Sequence, residues 1–358
     1  MPNARCPGTK RRLSAIAAAA VLALAACSAG NSRAPGPEVS TAALSEPETI
    51  STGLQSPWSI AFLDSTALVS ERDSGRILEL DGAGNQREAG LINAQGRGEG
   101  GLLGIAVQDG YLYSFLTAGD ENRIERRELR GAPGSLSLGE PQPVLSGIPA
   151  GPVHNGGRIA FGPDGMLYAT AGDAGDRDSA QDTQSLSGKI LRLMPDGGVP
   201  GDNPFPGSPV FSYGHRNPQG LAWDGEGRLY ASEFGQNTWD ELNIIEAGGN
   251  YGWPEAEGMA DGDGFIDPVQ QWDPAHASPS GIAVLGDSVF AANLRGERLR
   301  EIPLADTASA VEHLPGYGRL RDAVAAPDGS LWVLTNNTDG RGSPGPDDDR
   351  ILRIVLDR

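Results

Sequence analysis

His154-Asn155-Gly156-Gly157-Arg158-Ile159-Ala160-Phe161, the turn Gly162-Pro163-Asp164-Gly165, then Leu167-Tyr168-Ala169-Thr170 and, after a polar loop, Lys189-Ile190-Leu191-Arg192-Leu193 form the stretch on which the fold turns. Two short apolar segments around a Gly-Pro-Asp-Gly turn read as strand, turn, strand. Arg192 between Leu191 and Leu193 adds the alternation of a half-buried third strand. The unit recurs, marked by one small residue: Ala61, Ala106, Ala160, Ala222, Ala283 and Ala325. These lie 45, 54, 62, 61 and 42 residues apart. Repeats of about 40–50 residues built of short strands match propeller blades better than helical solenoids. The expected fold is all-β, a six-bladed β-propeller with four-stranded antiparallel blades, spanning residues 50–358.

Three strands per blade are legible, for instance 57–62, 67–71 and 76–80 in blade 1, or 323–325, 331–335 and 350–356 in blade 6. Fourth strands are expected in weaker segments such as 144–148 and 311–314, while the strand that closes the ring has no clear signal. No amphipathic helix is expected after the leader, because the apolar runs are too short and end in turn residues.

The chain carries 28 Lys/Arg against 47 Asp/Glu, a formal charge of −19. That sign argues against a nucleic-acid partner, whose phosphates require the opposite charge. Solubility explains the acidity as well as clustered carboxylates for divalent cations do.

Residues 1–26 read as a signal peptide: Arg5, Lys10, Arg11 and Arg12 precede an apolar run from Leu13 to Ala26, too short for an ordinary membrane span. Leu24-Ala25-Ala26-Cys27 resembles a bacterial lipoprotein signal, which implies lipidation of Cys27 and anchoring on the outer side of the cytoplasmic membrane. A plain secretory leader is the other reading. Cys6 leaves with the leader, so the mature chain has no partner for an intrachain disulfide. Residues 27–49, with Gly30, Pro35, Gly36, Pro37 and Pro47, are expected to be a flexible tether.

Polar residues gather before the first strand of successive units: Glu99, His154, Arg216, then Arg319 and Arg321. Equivalent positions in successive blades share one end of a propeller, so these residues are expected to line one axial funnel. His154 is the candidate general base, an imidazole titrating near neutrality in a glycine-rich loop that lets a ligand approach. Local sequence alone favours a structural or surface histidine. Arg216, Arg295, Arg319 and Arg321 are suited to receive carboxylates, although each alone reads as an ordinary solvated or paired arginine. The acidic segment around Glu233, Asp240, Glu241, Asp261, Asp263 and Asp267 allows a hard cation or merely a solvated turn. His215, His276 and His313 show no zinc-ligand spacing, and no dinucleotide, phosphate-loop or serine-hydrolase motif occurs.

Seven phrases give a more specific reading: Glu99-Gly100-Gly101-Leu102-Leu103-Gly104, His154-Asn155-Gly156-Gly157-Arg158, Gly188-Lys189-Ile190-Leu191-Arg192, Arg216-Asn217-Pro218-Gln219-Gly220, Asp240-Glu241-Leu242-Asn243, Gly249-Asn250-Tyr251-Gly252-Trp253-Pro254 and Arg319-Leu320-Arg321-Asp322. In this order the chain resembles the soluble pyrroloquinoline-quinone-dependent sugar dehydrogenases, in particular the aldose sugar or glucose/sorbosone dehydrogenase branch. The resemblance implies oxidation of the C1 hydroxyl of an aldose to a lactone. His154 would take the proton while hydride passes to the quinone, and the electrons would go on to an external acceptor, since no haem-attachment motif is present. It implies that Glu99, Arg216, Asn217, Arg295, Arg319 and Arg321 contact the cofactor. Gly235 and Gln236 would offer carbonyls to a cofactor-bound calcium, and Glu241 and Tyr251 would surround a further calcium.

Three departures from the glucose enzymes stand out: Glu99 replaces a glutamine, Val153 an aspartate before the histidine, and Arg295 a lysine. A cofactor-free carbohydrate- or protein-binding propeller and a calcium-dependent propeller lactonase are the competing readings. Which sugar is oxidised and whether the chain dimerises are not legible.

Overall fold

The structure, a computed structural model, describes residues 43–357 apart from Asp261 and Asp263. The chain divides after Glu38, and all described residues belong to the second unit. The leader, Cys27 and the tether up to residue 42 lie outside them.

Six antiparallel sheets follow one another along the chain, as expected. Blade 1 comprises Pro57–Leu63, Thr66–Glu71, Arg76–Leu80 and Gln86–Leu91. Blade 3 comprises Ile159–Phe161, Leu167–Ala171, Lys189–Leu193 and Val210–Tyr213, with Ala160 opposite Tyr168 and Tyr168 opposite Arg192. Blades 4 and 5 begin with Pro218–Trp223 and Pro279–Leu285. Both segments expected to hold a fourth strand do so, as Gln142–Pro149 in blade 2 and Val311–His313 in blade 5. Blade 2 carries one strand more, Ser137–Leu138, on the far end of Glu121–Arg130. The only helical segments among the described residues are short 3-10 turns at Arg177–Ala180 and Pro274–His276.

Two sequence expectations need correcting. In blade 6, Leu320 pairs with Thr335 and Val324 with Trp332, as Pro57 pairs with Glu71 and Ala61 with Leu68 in blade 1. Val324, not Ala325, is therefore the equivalent of the repeated alanine. The tether is also shorter than expected. Glu48–Ser51 pairs with Ile351–Ile354 as the fourth strand of blade 6, and Ala43–Leu44 pairs with Leu356–Asp357. The N-terminal strand thus closes the ring from the chain's other end, which leaves no open sheet edge between first and last blades.

Neighbouring blades meet through aromatic side chains in edge-to-face contact. Phe62 meets Trp332 at 5.2 Å between blades 1 and 6, Tyr113 meets Phe161 at 4.9 Å between blades 2 and 3, and Tyr168 meets Trp223 at 5.1 Å between blades 3 and 4. Such pairs contribute about 0.5–1.5 kcal/mol beyond burial alone. Nearer the centre the contacts are polar. Arg158 of blade 3 is fully buried and reaches Asp322 of blade 6 at 2.9 Å and Ser59 of blade 1 at 3.1 Å. Its guanidinium also lies 4.3 Å from the Trp58 ring. A buried charge pair this well hydrogen-bonded adds little net stability over an apolar packing, but losing either partner would strand the other.

Candidate active site

One end of each blade presents the start of its first strand and the end of its second, because these strands run antiparallel. Trp58, Gln219 and Arg321 are the second residues of the first strands of blades 1, 4 and 6, and Arg72, Phe234 and Leu294 directly follow the second strands of blades 1, 4 and 5. All six line one cavity, together with Glu99, Asn155, Gly156 and Arg341. Of the residues expected to converge, Glu99 and Arg321 line this cavity, whereas His154, Arg216 and Arg319 are not among its lining residues.

His154 sits beside this cavity with φ of +56°, a left-handed conformation that side chains other than glycine seldom adopt. Three contacts hold it there. Its N–H donates to Glu99 Oε2 at 2.9 Å, its carbonyl accepts from Ala174 N–H at 3.1 Å, and its Nδ1 lies 2.7 Å from Asp173 Oδ1. Close approach of the two loops needs Gly172, since a Cβ there would stand 2.0 Å from the His154 carbonyl oxygen. Asp173 is buried and also accepts from Gly175 N–H at 2.8 Å and from Trp253 Nε1 at 2.9 Å. Burial works against its ionisation, yet the His154 ring and these donors hold the carboxyl below the usual carboxylate range. An ionised Asp173 keeps the proton of neutral His154 on Nδ1, which leaves Nε2 with the basic lone pair.

Asp173 was not singled out in the sequence. It supplies the carboxylate that Val153 lacks, nineteen positions beyond His154 in the next loop. The available signal was the Gly172-Asp173 pair at the end of the second strand, where strand and histidine loop must touch.

Glu99 lines the cavity as expected and pairs through Oε1 with Arg341 at 2.9 Å. Burial raises its pKa, but the His154 N–H and Arg341 outweigh that and hold it low. Arg341 was missed too, for it lies 242 positions from its partner.

Arg321 donates to Gln219 Oε1 at 3.2 Å, and Arg319 pairs with Asp339 at 3.0 Å. The Nε atoms of both arginines are buried without a partner, and Arg321 is the one of the two that lines the cavity. Burial pushes Arg321 down to about 9, which still leaves it cationic at neutral pH. Asn217 Oδ1 accepts from Gly156 N–H at 3.0 Å and so ties the histidine loop to blade 4. Arg295 is not among the residues lining this cavity. It is exposed on the turn between two strands of blade 5, and its neighbour Leu294 lines the cavity instead.

Arg216 faces a second, smaller cavity that it shares with Glu233, Gly235, Glu241, Tyr251, Trp253 and Glu257. Its Nη1 donates to the carbonyls of Phe234 and Gly235, and its ring contact with Trp253 is 5.4 Å. The Gly235 carbonyl expected to hold a cation is thus already engaged by a guanidinium. Gln236 N–H, with three successive neighbours, donates to Glu257 Oε1. The Tyr251 hydroxyl is committed to the Ile244 carbonyl and Glu246 N–H, so any cation ligand from this residue is its backbone carbonyl. Burial first, and then the Glu233 charge, push Glu241 upward, the mark of a pocket short of positive charge. No group of three or more His, Cys, Asp or Glu that could hold a metal ion is gathered among the described residues.

Known proteins share this fold. The PQQ-bound aldose sugar dehydrogenase of Streptomyces coelicolor superposes with a TM-score of 0.85 at 52% identity, covering 88% of this chain and 99% of that one. Aldose sugar dehydrogenase YliI of Escherichia coli is 27% identical over 340 residues, 82% of this chain and 90% of that protein. Quinoprotein glucose dehydrogenase B of Acinetobacter calcoaceticus is 32% identical over 246 residues, 56% of this chain and 50% of that protein. The family described as Glucose / Sorbosone dehydrogenase matches residues 54–353, which takes in all six first strands and every residue lining the two cavities. On that match the chain belongs to the glucose/sorbosone dehydrogenase family.

Proposed function

We propose that the protein is a pyrroloquinoline-quinone-dependent dehydrogenase that oxidises the C1 hydroxyl of aldose sugars to lactones. The observation that carries this reading is the pairing of an arginine-lined cavity with a carboxylate-oriented histidine in the loop whose next two residues, Asn155 and Gly156, line it. A tricarboxylated quinone suits the cavity, because Arg72, Arg321 and Arg341 line it and two buried guanidinium Nε donors have no partner. Bound there, the quinone supplies the two-electron oxidant that receives the C1 hydride.

The chain's own residues do the rest. Asp173 holds His154 in the tautomer whose Nε2 accepts the C1 hydroxyl proton, and the imidazolium so formed is stabilised by the same carboxylate. Arg321, with Arg319 close by in sequence, would hold cofactor carboxylate, and Arg216 in the smaller cavity would add positive charge. A lactonase needs no such set of buried cationic donors.

Calcium fits the donor types in the smaller cavity, where Glu233 and Glu241 stand beside backbone carbonyls. At Gly235 it would share an oxygen with, or displace, the Arg216 guanidinium. Electrons would leave to an external acceptor, and the N-terminal Cys27 would carry the lipid that anchors the enzyme outside the cytoplasmic membrane.

Purified protein loaded with quinone and calcium is expected to reduce a soluble dye when an aldose is added, and His154→Ala to abolish that turnover. Lactone hydrolysis without quinone, in place of dye reduction, would replace this reading with the lactonase.

A further inference from the structure

Trp253 touches both halves of the site. Its indole Nε1–H donates at 2.9 Å to Asp173 Oδ2, while Asp173 Oδ1 serves His154 Nδ1 and Gly175 N–H. Its ring meets the guanidinium of Arg216 at 5.4 Å and that of Arg177 at 4.6 Å. The residue is buried and fixed at its main chain, the N–H to the Gly214 carbonyl at 2.9 Å and the carbonyl to Gln181 Nε2 at 2.7 Å. An indole has one donor to place when buried, and here it is aimed at the carboxylate oxygen left free by the histidine.

We infer that Trp253 is a positioning residue: its N–H fixes the Asp173 carboxylate and through it the His154 tautomer, and its ring sets the place of Arg216. The inference rests on the reading of His154 as the base. Without the indole N–H, Asp173 Oδ2 is a buried, charged acceptor with no partner, which is unfavourable. Rotation about the soft terminal torsion of aspartate relieves that cost and carries Oδ1 away from His154 Nδ1. The neutral imidazole then gains the tautomer with hydrogen on Nε2, which has no lone pair for a substrate proton.

The test separates positioning from packing. The protein has four histidines, so ¹⁵N-histidine spectra of the quinone-free chain resolve His154 once His154→Ala assigns it. Wild type is expected to show hydrogen on Nδ1 and a bare Nε2. Trp253→Phe keeps a ring but loses the donor, and a benzothienylalanine at position 253 keeps the indole shape as well, so a folding defect in the first leaves the second informative. In both, the Nε2–H population is expected to rise several-fold. In the quinone-loaded enzyme kcat is expected to fall about 10–100-fold, the usual range for losing a group that orients a reacting residue. KM and quinone affinity stay within about twofold of wild type, since the donor touches neither ligand. Trp253→Leu removes the ring too and is expected to weaken quinone binding in addition. An unchanged His154 tautomer in both donor-less variants overturns the inference. A shifted tautomer in a wild-type background that oxidises no sugar supports the positioning contact and overturns the dehydrogenase reading instead.

Discussion

At the scale of single residues, the site depends on a histidine held in a costly backbone conformation. Glu99, Ala174 and Asp173 each take up one polar group of His154, and together they offset a left-handed φ that costs about 1–3 kcal/mol. Asp173→Asn tests the carboxylate directly. The amide has nearly the same shape, but it no longer attracts the Nδ1 proton or stabilises the imidazolium. Turnover with quinone and aldose is expected to drop by about 10²–10⁴-fold, with quinone affinity little changed. Equal losses of turnover and quinone binding would mean that Asp173 only shapes the pocket. The histidine itself was legible because a His-Asn-Gly-Gly phrase precedes a strand. Asp173 and Arg341 were not, because their partners are brought to them by tertiary folding, across 19 and 242 positions.

At the scale of the element, the loop between the second and third strands of blade 3 is pinned by a buried lysine. Lys189 Nζ donates to the carbonyls of Ser179, Ala180 and Ser187. Burial pushes its pKa down to about 8, against which the nearby Asp182 charge acts only weakly. Between about pH 8 and the unfolded value near 10.5 the unfolded chain binds more protons than the folded one, so this group's contribution to stability rises with pH. Lys189→Met is expected to lower stability at pH 7, because three buried carbonyls lose their donor, at about 1–3 kcal/mol each before relaxation. Its stability is also expected to lack the wild-type rise over that pH window; urea unfolding at pH 7.5 and 10 measures both.

The acidic cavity of blade 4 makes a second claim at this scale. Calcium is expected to raise Tm by several degrees and chelation to reverse it, whereas Glu241→Gln, which relieves the pocket's excess charge, is expected to be indifferent to calcium. A wild-type Tm unmoved by calcium removes the cation from this cavity. The strands themselves were readable wherever turn residues bounded an apolar run. Glu48–Ser51 was not, since only Ile50 is apolar and half of the strand is exposed.

For the molecule as a whole, closure and cavity belong together. The first strands of all six blades face the axis, and Arg158, Asp322, Ser59 and Trp58 from blades 1, 3 and 6 interlock behind the cavity wall. Glu48–Ser51 joins the last blade to the first by pairing with Ile351–Ile354. Removing residues up to 52 exposes that strand edge and separates blade 6 from its closing strand. The truncated chain is expected to melt at least 10 °C lower and to aggregate through the opened sheet; an unchanged Tm would show that the blades hold by packing alone.

Six blades were countable from their alanine and turn pattern, with blade 6 misplaced by one residue because Ala323 and Ala325 flank Val324. A repeat register fixes which turn a residue occupies, as at Leu294 and Arg295, but not which of the two side chains lines the cavity.

The most direct measurement of the central claim is calorimetric titration of the folded, calcium-equilibrated protein with pyrroloquinoline quinone, for wild type and Arg321→Leu. The account predicts one quinone per chain, bound at least 100-fold more weakly by the variant, the loss of a buried charge-assisted contact of about 3 kcal/mol. A folded wild type that binds no quinone, or binds it as tightly without Arg321, would contradict it.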